Sequence, residues 1–214
     1  KSIRGYADLL DDVISLSRYF VEEGTNVYDI GCSTGKLTQR MLEANQDFCA
    51  AANYVGIEIA DGFYDDMLQR QEHINTIHPW ASVDLRHEDV RDTEFENASL
   101  ITSIFTLQFM SKNDRRHTIQ RIYDGLNEGG AFIFAEKTVC QSANFQDMLT
   151  FNFYDYKRKH FGTEDIMDKE RTLRNMLKPN TWNEIVNMLK CAGFNDVQSF
   201  WQNHTFVGAM AIKN

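Results

Sequence analysis

The sequence predicts an α/β fold: a seven-stranded, mostly parallel sheet with helices on both faces, a C-terminal antiparallel hairpin and a helical cap. Three observations predict it. Short apolar, β-rich runs alternate with longer stretches of helical period through the first two thirds of the chain. Beyond Cys140 that alternation breaks, and two helix-like stretches follow one another with no strand between them. Two apolar runs separated by a polar tetrapeptide then end the sequence, the pattern of a hairpin.

Taken in order, Tyr6 to Val21 has the period of an opening helix. The strand-like runs are Val27 to Ile30, Tyr54 to Ile59, Val83 to Leu85, Leu100 to Phe105 and Ala131 to Ala135. Between them lie the helical stretches Leu37 to Asn45, Gly62 to Ile77 and Asp114 to Leu126. Strands alternating with helices imply right-handed crossovers and a parallel sheet buried on both faces. Phe145 to His160 and Glu164 to Leu177 are the two consecutive helices, so a cap insertion over about residues 142–178 is expected at the ligand end of the sheet. Thr181 to Cys191 is a further helix with Gly193 as its stop signal. Val197 to Trp201 and Phe206 to Ile212 form the hairpin around Gln202 to Thr205.

The 214 residues are 43% hydrophobic, enough for one buried core, and a single domain over 1–214 is expected. Pro79 and Pro179 are the two prolines, and no low-complexity linker or internal repeat divides the chain. A formal charge of −9 argues against a wide basic footprint, so no direct nucleic-acid partner is expected and a small-molecule substrate is. Cys32, Cys49, Cys140 and Cys191 are scattered without metal-ligand spacing. The six histidines show no paired-ligand spacing either, so no metal is expected. No apolar run reaches the roughly 18 residues of a membrane span, and no charged leader precedes an apolar stretch. The expectation is a soluble, cytoplasmic protein with reduced thiols, touching no membrane.

The segment Asn26 to Lys36 reads as a strand that turns through Gly31 and Gly35 into a helix, with Asp29 two residues before the first glycine. Glycine suits a backbone that must lie against a ligand or adopt positive φ, and the helix beyond offers free amides to a carboxylate. An ordinary strand-to-helix turn carries the same pair of glycines, so the neighbouring strands matter. The run Tyr54 to Ile59 ends at Glu58, which a parallel sheet places beside the glycine turn, where a carboxylate can accept from both ribose hydroxyls. Asp89 and Val90 end the third run, where an acid and an amide can meet an adenine edge; Glu88 and Asp92 compete for that acid's role. Three features in this order point to S-adenosylmethionine and to the Rossmann-like class I methyltransferase fold.

With those residues in place, the sequence resembles the carboxy-S-adenosylmethionine synthase family over nearly its whole length. The resemblance is carried by Gly5-Tyr6, Val27 to Ser33, Glu96-Asn97-Ala98-Ser99, Phe105-Thr106-Leu107-Gln108-Phe109, Ile122 to Asn127, Lys157-Arg158, Ala192-Gly193-Phe194 and Phe206-Val207-Gly208. It implies an enzyme that converts S-adenosylmethionine and prephenate to carboxy-S-adenosylmethionine and phenylpyruvate, for modification of the tRNA wobble uridine. It also implies a homodimer. Carried over residue by residue, it places Tyr6, Asp29, Gly31, Cys32, Ser33, Gly35, Glu58, Ile59, Asp89, Val90 and Ile104 around the cofactor. Arg171 would meet the new carboxylate, with Tyr6 closing the pocket, and these two are the expected catalytic residues. An arginine aimed at the methyl of a sulfonium repels plain S-adenosylmethionine; a carboxylate on that carbon makes a charge-assisted, bidentate pair. Arg171 also sits in the charged run Asp168 to Arg171, the composition of a solvated helix face, and Arg174 is a rival for the same role.

This chain departs from the family at positions that touch the cofactor. Ile104 and Ile59 stand where the family has asparagine, so two hydrogen-bonding side chains become apolar ones. Thr34 and Lys36 occupy a loop where small residues are commoner, and Lys36 or Arg4 can meet a prephenate carboxylate or simply face solvent. Alternative readings are an ordinary methyltransferase acting on a small molecule, and a catalytically silent subunit that only binds S-adenosylmethionine. Phe151, Phe153, Tyr154, Tyr156 and Phe161 cover more than one helical face, as expected of a cap that meets a second subunit or substrate, or of one that is wholly internal.

Overall fold

A computed structural model describes residues 2–214. The chain runs α1 (Tyr6–Ser17), β1 (Asn26–Ile30), α2 (Lys36–Asn45), β2 (Asn53–Glu58), α3 (Tyr64–Ile77), β3 (Ser82–His87), β4 (Ala98–Ile104), α4 (Lys112–Gly125) and β5 (Leu126–Val139). It continues through α5 (Ala143–Arg158), α6 (Thr163–Met176), β6 (Asn180–Thr181), α7 (Trp182–Ala192), β7 (Asp196–Asn203) and β8 (Phe206–Ile212). The sheet order is β3-β2-β1-β4-β5-β8-β7, with the two-residue β6 added beside the end of β5. The strands from β3 to β5 are parallel, and β8 then pairs antiparallel with both β5 and β7. This is the expected fold class: the Rossmann-like methyltransferase architecture with an open sheet and an antiparallel C-terminal hairpin.

Central strands buried on both faces should be apolar throughout, and β1 and β4 are largely so. Tyr28, Ile30, Ile101, Phe132 and Phe134 pack on one face against α4 and α7, which contribute Ile119, Ile122, Ile185 and Leu189. Val27, Leu100, Ile133 and Ala135 pack on the other against Leu9 and Val13 of α1 and Met41 and Leu42 of α2. Leu9 and Ile122 are fully buried, and each such side chain contributes about 1.5–3 kcal/mol of apolar transfer.

Several boundaries differ from the sequence expectation, each for a local reason. The opening helix stops at Ser17 rather than Val21, because the following amides switch to bonds three residues back, Tyr19 to the Leu16 carbonyl and Phe20 to the Ser17 carbonyl, each at 3.0 Å, which tighten the chain into a closing turn. Asp61–Phe63 form a separate 3₁₀ turn ahead of α3. Strand β5 begins at Leu126, ahead of the expected Ala131, because Ala98 pairs with Leu126 and, across a bulge that residues 127–130 of β5 form, Leu100 then pairs with Ala131. The two cap helices fall where expected. Phe153 is buried against Phe206 at 5.3 Å between centroids, whereas Phe145, Met148 and Phe151 on the same helix are exposed.

Candidate active site

In a parallel sheet of this topology, ligands meet the carboxyl ends of the strands, and the loops there build one cleft of about 700 Å³. Its floor is the β1–α2 turn. Gly31, Ser33 and Gly35 all have positive φ, at 73°, 54° and 71°. Gly31 has no alternative residue: a Cβ there would lie 2.0 Å from Thr106 Oγ1. The alternation of left-handed and ordinary conformations folds the backbone into a tight turn that places Gly31 and Ser33 in the cleft's lining and leads into α2. Gly35, the residue before α2, offers no side-chain cap; the Thr38 amide of the first turn donates to the buried Asp29 carboxylate, which leaves the Lys36 and Leu37 amides at the positive end of the helix dipole.

Glu58 ends β2 and ties this turn to the sheet. Its Oε2 accepts from the Ser33 amide at 3.0 Å and its Oε1 from the Ala60 amide at 2.8 Å. The Gly31 and Cys32 amides donate to the Ile57 carbonyl, so the turn and β2 form one unit. Glu58 is 8% exposed, with its rim open to the cleft.

Of the residues expected around the cofactor, Gly31, Ser33, Glu58, Ile59, Asp89, Val90 and Ile104 line this cleft together. Asp89 is held by Arg91, whose Nε donates at 2.8 Å and whose amide donates at 2.9 Å; this pairing lowers the Asp89 carboxyl below its ordinary range. The competing Glu88 accepts from Thr93 Oγ1 at 2.7 Å, and Asp92 faces a separate polar groove on the β1–β3 side. Ile59, more than half exposed, joins Ile104 and Phe63 as the cleft's apolar walls.

Asp29 lies beneath the turn. It is 2% exposed and accepts from Thr38 Oγ1 at 2.8 Å and Thr102 Oγ1 at 2.9 Å. Burial pushes its carboxyl up to about 6, the threonine hydrogen bonds pulling the other way. Cys32 faces inward, its Sγ 3.9 Å from Met67 Sδ, and burial pushes the thiol up. A Cβ on Gly35 would meet Leu85 Cδ1 at 2.5 Å, so this glycine serves close packing of helix on strand. Tyr6 is not among the residues that line the cleft; its ring lies 6.1 Å from that of Phe105, which does, and burial and the nearby Asp29 charge both raise its phenol.

Arg171 is not brought to the cleft. Its side chain is 71% exposed on α6 and pairs with Asp168 at 3.1 Å. The inward position of that turn belongs to Glu170, which pairs with Lys157 at 2.8 Å. Arg174 is exposed as well, and α6 reaches the cleft through Met176 and the following Lys178.

Other residues at the site carry no signal of their own in the sequence. The buried Arg115 guanidinium donates from Nε to the Leu107 carbonyl at 2.9 Å and from Nη2 to the Lys178 carbonyl at 2.9 Å, and it also bonds Asn180. It therefore holds the Phe105–Phe109 loop against the segment leaving α6. Glu136 lies 3.5 Å from Arg115 Nη1 with neither carboxylate oxygen hydrogen bonded, and burial pushes its carboxyl up to about 7.

Comparison with known proteins gives the family. A methyltransferase-domain family model matches residues 28–132. The carboxy-S-adenosyl-L-methionine synthase of Staphylococcus epidermidis is 37% identical over 217 residues, covering 100% of this chain and 90% of that protein. The synthase of Shewanella baltica is 33% identical over 218 residues, covering 100% of this chain and 86% of that protein. This chain belongs to the carboxy-S-adenosyl-L-methionine synthase family. A solved structure, magnesium protoporphyrin IX methyltransferase from Synechocystis with S-adenosylhomocysteine bound, superposes with a TM-score of 0.65 at 13% identity, over 100% of this chain and 86% of that one. At that identity it speaks for the fold alone. Within the family's fold, the glycine turn, Glu58 and the Asp89–Val90 step stand at the ends of β1, β2 and β3 in the order that the sequence implied. Among the described residues no helix is long and apolar enough to cross a membrane, and no cluster of three His, Cys, Asp or Glu side chains is arranged to hold a metal.

Proposed function

We propose that this protein is an S-adenosylmethionine-dependent carboxy-S-adenosylmethionine synthase, with prephenate as carboxyl donor and the product destined for tRNA wobble-uridine modification. One observation carries the cofactor half of this reading: Glu58 is fixed by two backbone amides at the rim of the glycine turn. A carboxylate so held keeps lone pairs directed into the cleft, where ribose hydroxyls can donate to them. The Lys36 and Leu37 amides at the start of α2 suit the methionine carboxylate, and Ile59, Phe63 and Ile104 suit the two faces of an adenine ring. The cofactor, when bound, supplies the activated methyl carbon. The chain's own contribution is to orient it, exclude water through Tyr6 and Phe105, and match its charge.

Arg171 is the proposed selector of the carboxylated cofactor. From its exposed position on α6 it reaches a ligand only if α6 rearranges or a second copy of the chain delivers it. The exposed apolar side chains Phe145, Met148 and Phe151 on α5 favour pairing with a second copy. The deciding test is mass spectrometry of ligand released from purified protein, beside Arg171→Ala. Recovery of S-adenosylmethionine plus one carboxyl group, lost in the variant, supports both assignments. Recovery of plain S-adenosylmethionine or its demethylated product alone rejects the synthase reading in favour of an ordinary small-molecule methyltransferase.

A further inference from the structure

Charge is distributed unevenly at the ligand end of the sheet. Asp29 and Glu58 lie on the glycine-turn side, where a cationic sulfonium suits them. On the far side of Phe105 the balance reverses. Lys137 on β5, Lys157 on α5 and Glu170 on α6 face one another beneath the cap, two ammonium groups against one carboxylate. Glu170 is committed to Lys157 at 2.8 Å, a pair whose lysine side chain is only 6% exposed. Among the described residues, no carboxylate pairs with Lys137 and no group hydrogen bonds its ammonium.

The placement of Lys137 is rigid. It pairs across the sheet with Phe206, and its own amide donates to Gln108 Oε1 at 2.7 Å. Two residues earlier, the Ala135 carbonyl accepts from the Phe105 amide at 2.8 Å. Side chains alternate along a strand, so Lys137 shares the α1 face with Ile133 and Ala135. That is the face against which Phe105, a residue of the cleft's lining, packs with its ring beside Tyr6. Phe206 links Phe105, at 5.6 Å, to Phe153 of the cap, at 5.3 Å, so an aromatic wall runs from the cleft to the lysine pair.

An ammonium in partly desolvated surroundings without a counter-ion is unfavourable, and a bound anion relieves the imbalance. We infer that Lys137 is the anchor for the second substrate, its ammonium receiving a carboxylate of a small aromatic or cyclohexadienyl acid that lies against Phe105. This rests on the synthase reading for the identity of the acid. Burial lowers the Lys137 ammonium below the usual lysine range; the charge of Glu170, already shared with Lys157, pulls the other way and the repulsion of Lys157 adds to the lowering, so a ligand that brings a further negative charge is favoured. Lys36 and Arg4, the cations that the sequence offered for this task, lie exposed, Lys36 in the first turn of α2 and Arg4 in a surface groove with Asn152 of α5 and His204, outside the cleft's lining.

The experiment compares wild type with Lys137→Met, which keeps length without charge, and Lys137→Arg, which keeps charge. Steady-state kinetics with prephenate are read beside calorimetric titration of S-adenosylmethionine. Loss of a charge-assisted contact is expected to raise the KM for prephenate about 10- to 100-fold in Lys137→Met, with partial rescue in Lys137→Arg and unchanged cofactor affinity. An unchanged KM overturns the inference while leaving the synthase reading intact. If wild type forms no carboxylated product, that reading falls, and the anchor is tested by titrating phenylpyruvate into protein loaded with S-adenosylhomocysteine. Binding lost in Lys137→Met then supports the anion site, and equal or absent binding in wild type and variant overturns it.

Discussion

The Ser33 amide donates to Glu58 Oε2 at 3.0 Å, joining residues from two different strand ends at the floor of the cleft. Ser33 holds a left-handed φ of 54° to do so, a conformation that a non-glycine residue adopts only when its surroundings enforce it. One carboxylate therefore shapes the cofactor turn and is available to the cofactor at once.

Glu58→Gln removes the charge while retaining the shape. Losing a charge-assisted acceptor costs roughly 1.5–3 kcal/mol, so S-adenosylmethionine affinity is expected to fall about 10- to 100-fold. Calorimetric titration measures it, and an affinity within about twofold of wild type would remove Glu58 from the cofactor site.

Gly31→Ala is expected to destabilise the fold as well as the site. The new Cβ would meet Thr106 Oγ1 at 2.0 Å in a backbone of φ 73°. A loss of about 2–4 kcal/mol in denaturant unfolding is expected, from positive-φ strain together with the clash. Gly62→Ala, where nothing lies within 4 Å and φ is not positive, is the control expected to change stability by less than about 1 kcal/mol.

Glu136 makes stability depend on pH with a definite sign. Its folded-state pKa, about 7, lies above its ordinary value of 4.5, so between these limits the folded protein holds more protons than the unfolded chain. Its contribution therefore favours folding at low pH and is lost as pH rises through that window. A pKa displaced by one pH unit corresponds to about 1.4 kcal/mol, which bounds the total at a few kcal/mol. Urea unfolding at about pH 5 and about pH 8 should show wild type losing more stability than Glu136→Gln; equal losses would refute the assignment.

Arg115→Met tests the same buried pair from the other side. Removing the guanidinium strands Glu136 and frees the Leu107 and Lys178 carbonyls, so about 3–5 kcal/mol of destabilisation is expected. The double variant Arg115→Met/Glu136→Leu should recover part of that loss, read by the same unfolding curves.

Ile104→Asn restores a polar side chain to a position that lines the cleft. One added hydrogen bond is worth about 0.5–1.5 kcal/mol, so cofactor binding should tighten roughly 2- to 10-fold. Weaker binding, by titration, would mean that the apolar wall is the adapted state of this chain.

The amino-acid sequence by itself determined the order of elements, the glycine turn and the placement of Glu58, Asp89 and Val90 at successive strand ends. Those features are written locally, in hydrophobic period and in residues that tolerate positive φ. The tertiary structure alone decided what depends on distant contacts. Asp29 is legible as an acid beside Gly31, yet its burial between Thr38 and Thr102 makes it a prop beneath the turn. Arg171 is legible as a charge on a helix, yet the rotation of α6 turns Glu170 inward and Arg171 out. Arg115 and Lys137 carried no sequence signal, since a cation's role depends on which carbonyls, carboxylates and rings surround it. Desolvation and pairing are set by side chains tens of residues apart, and only the packed sheet and cap bring them together.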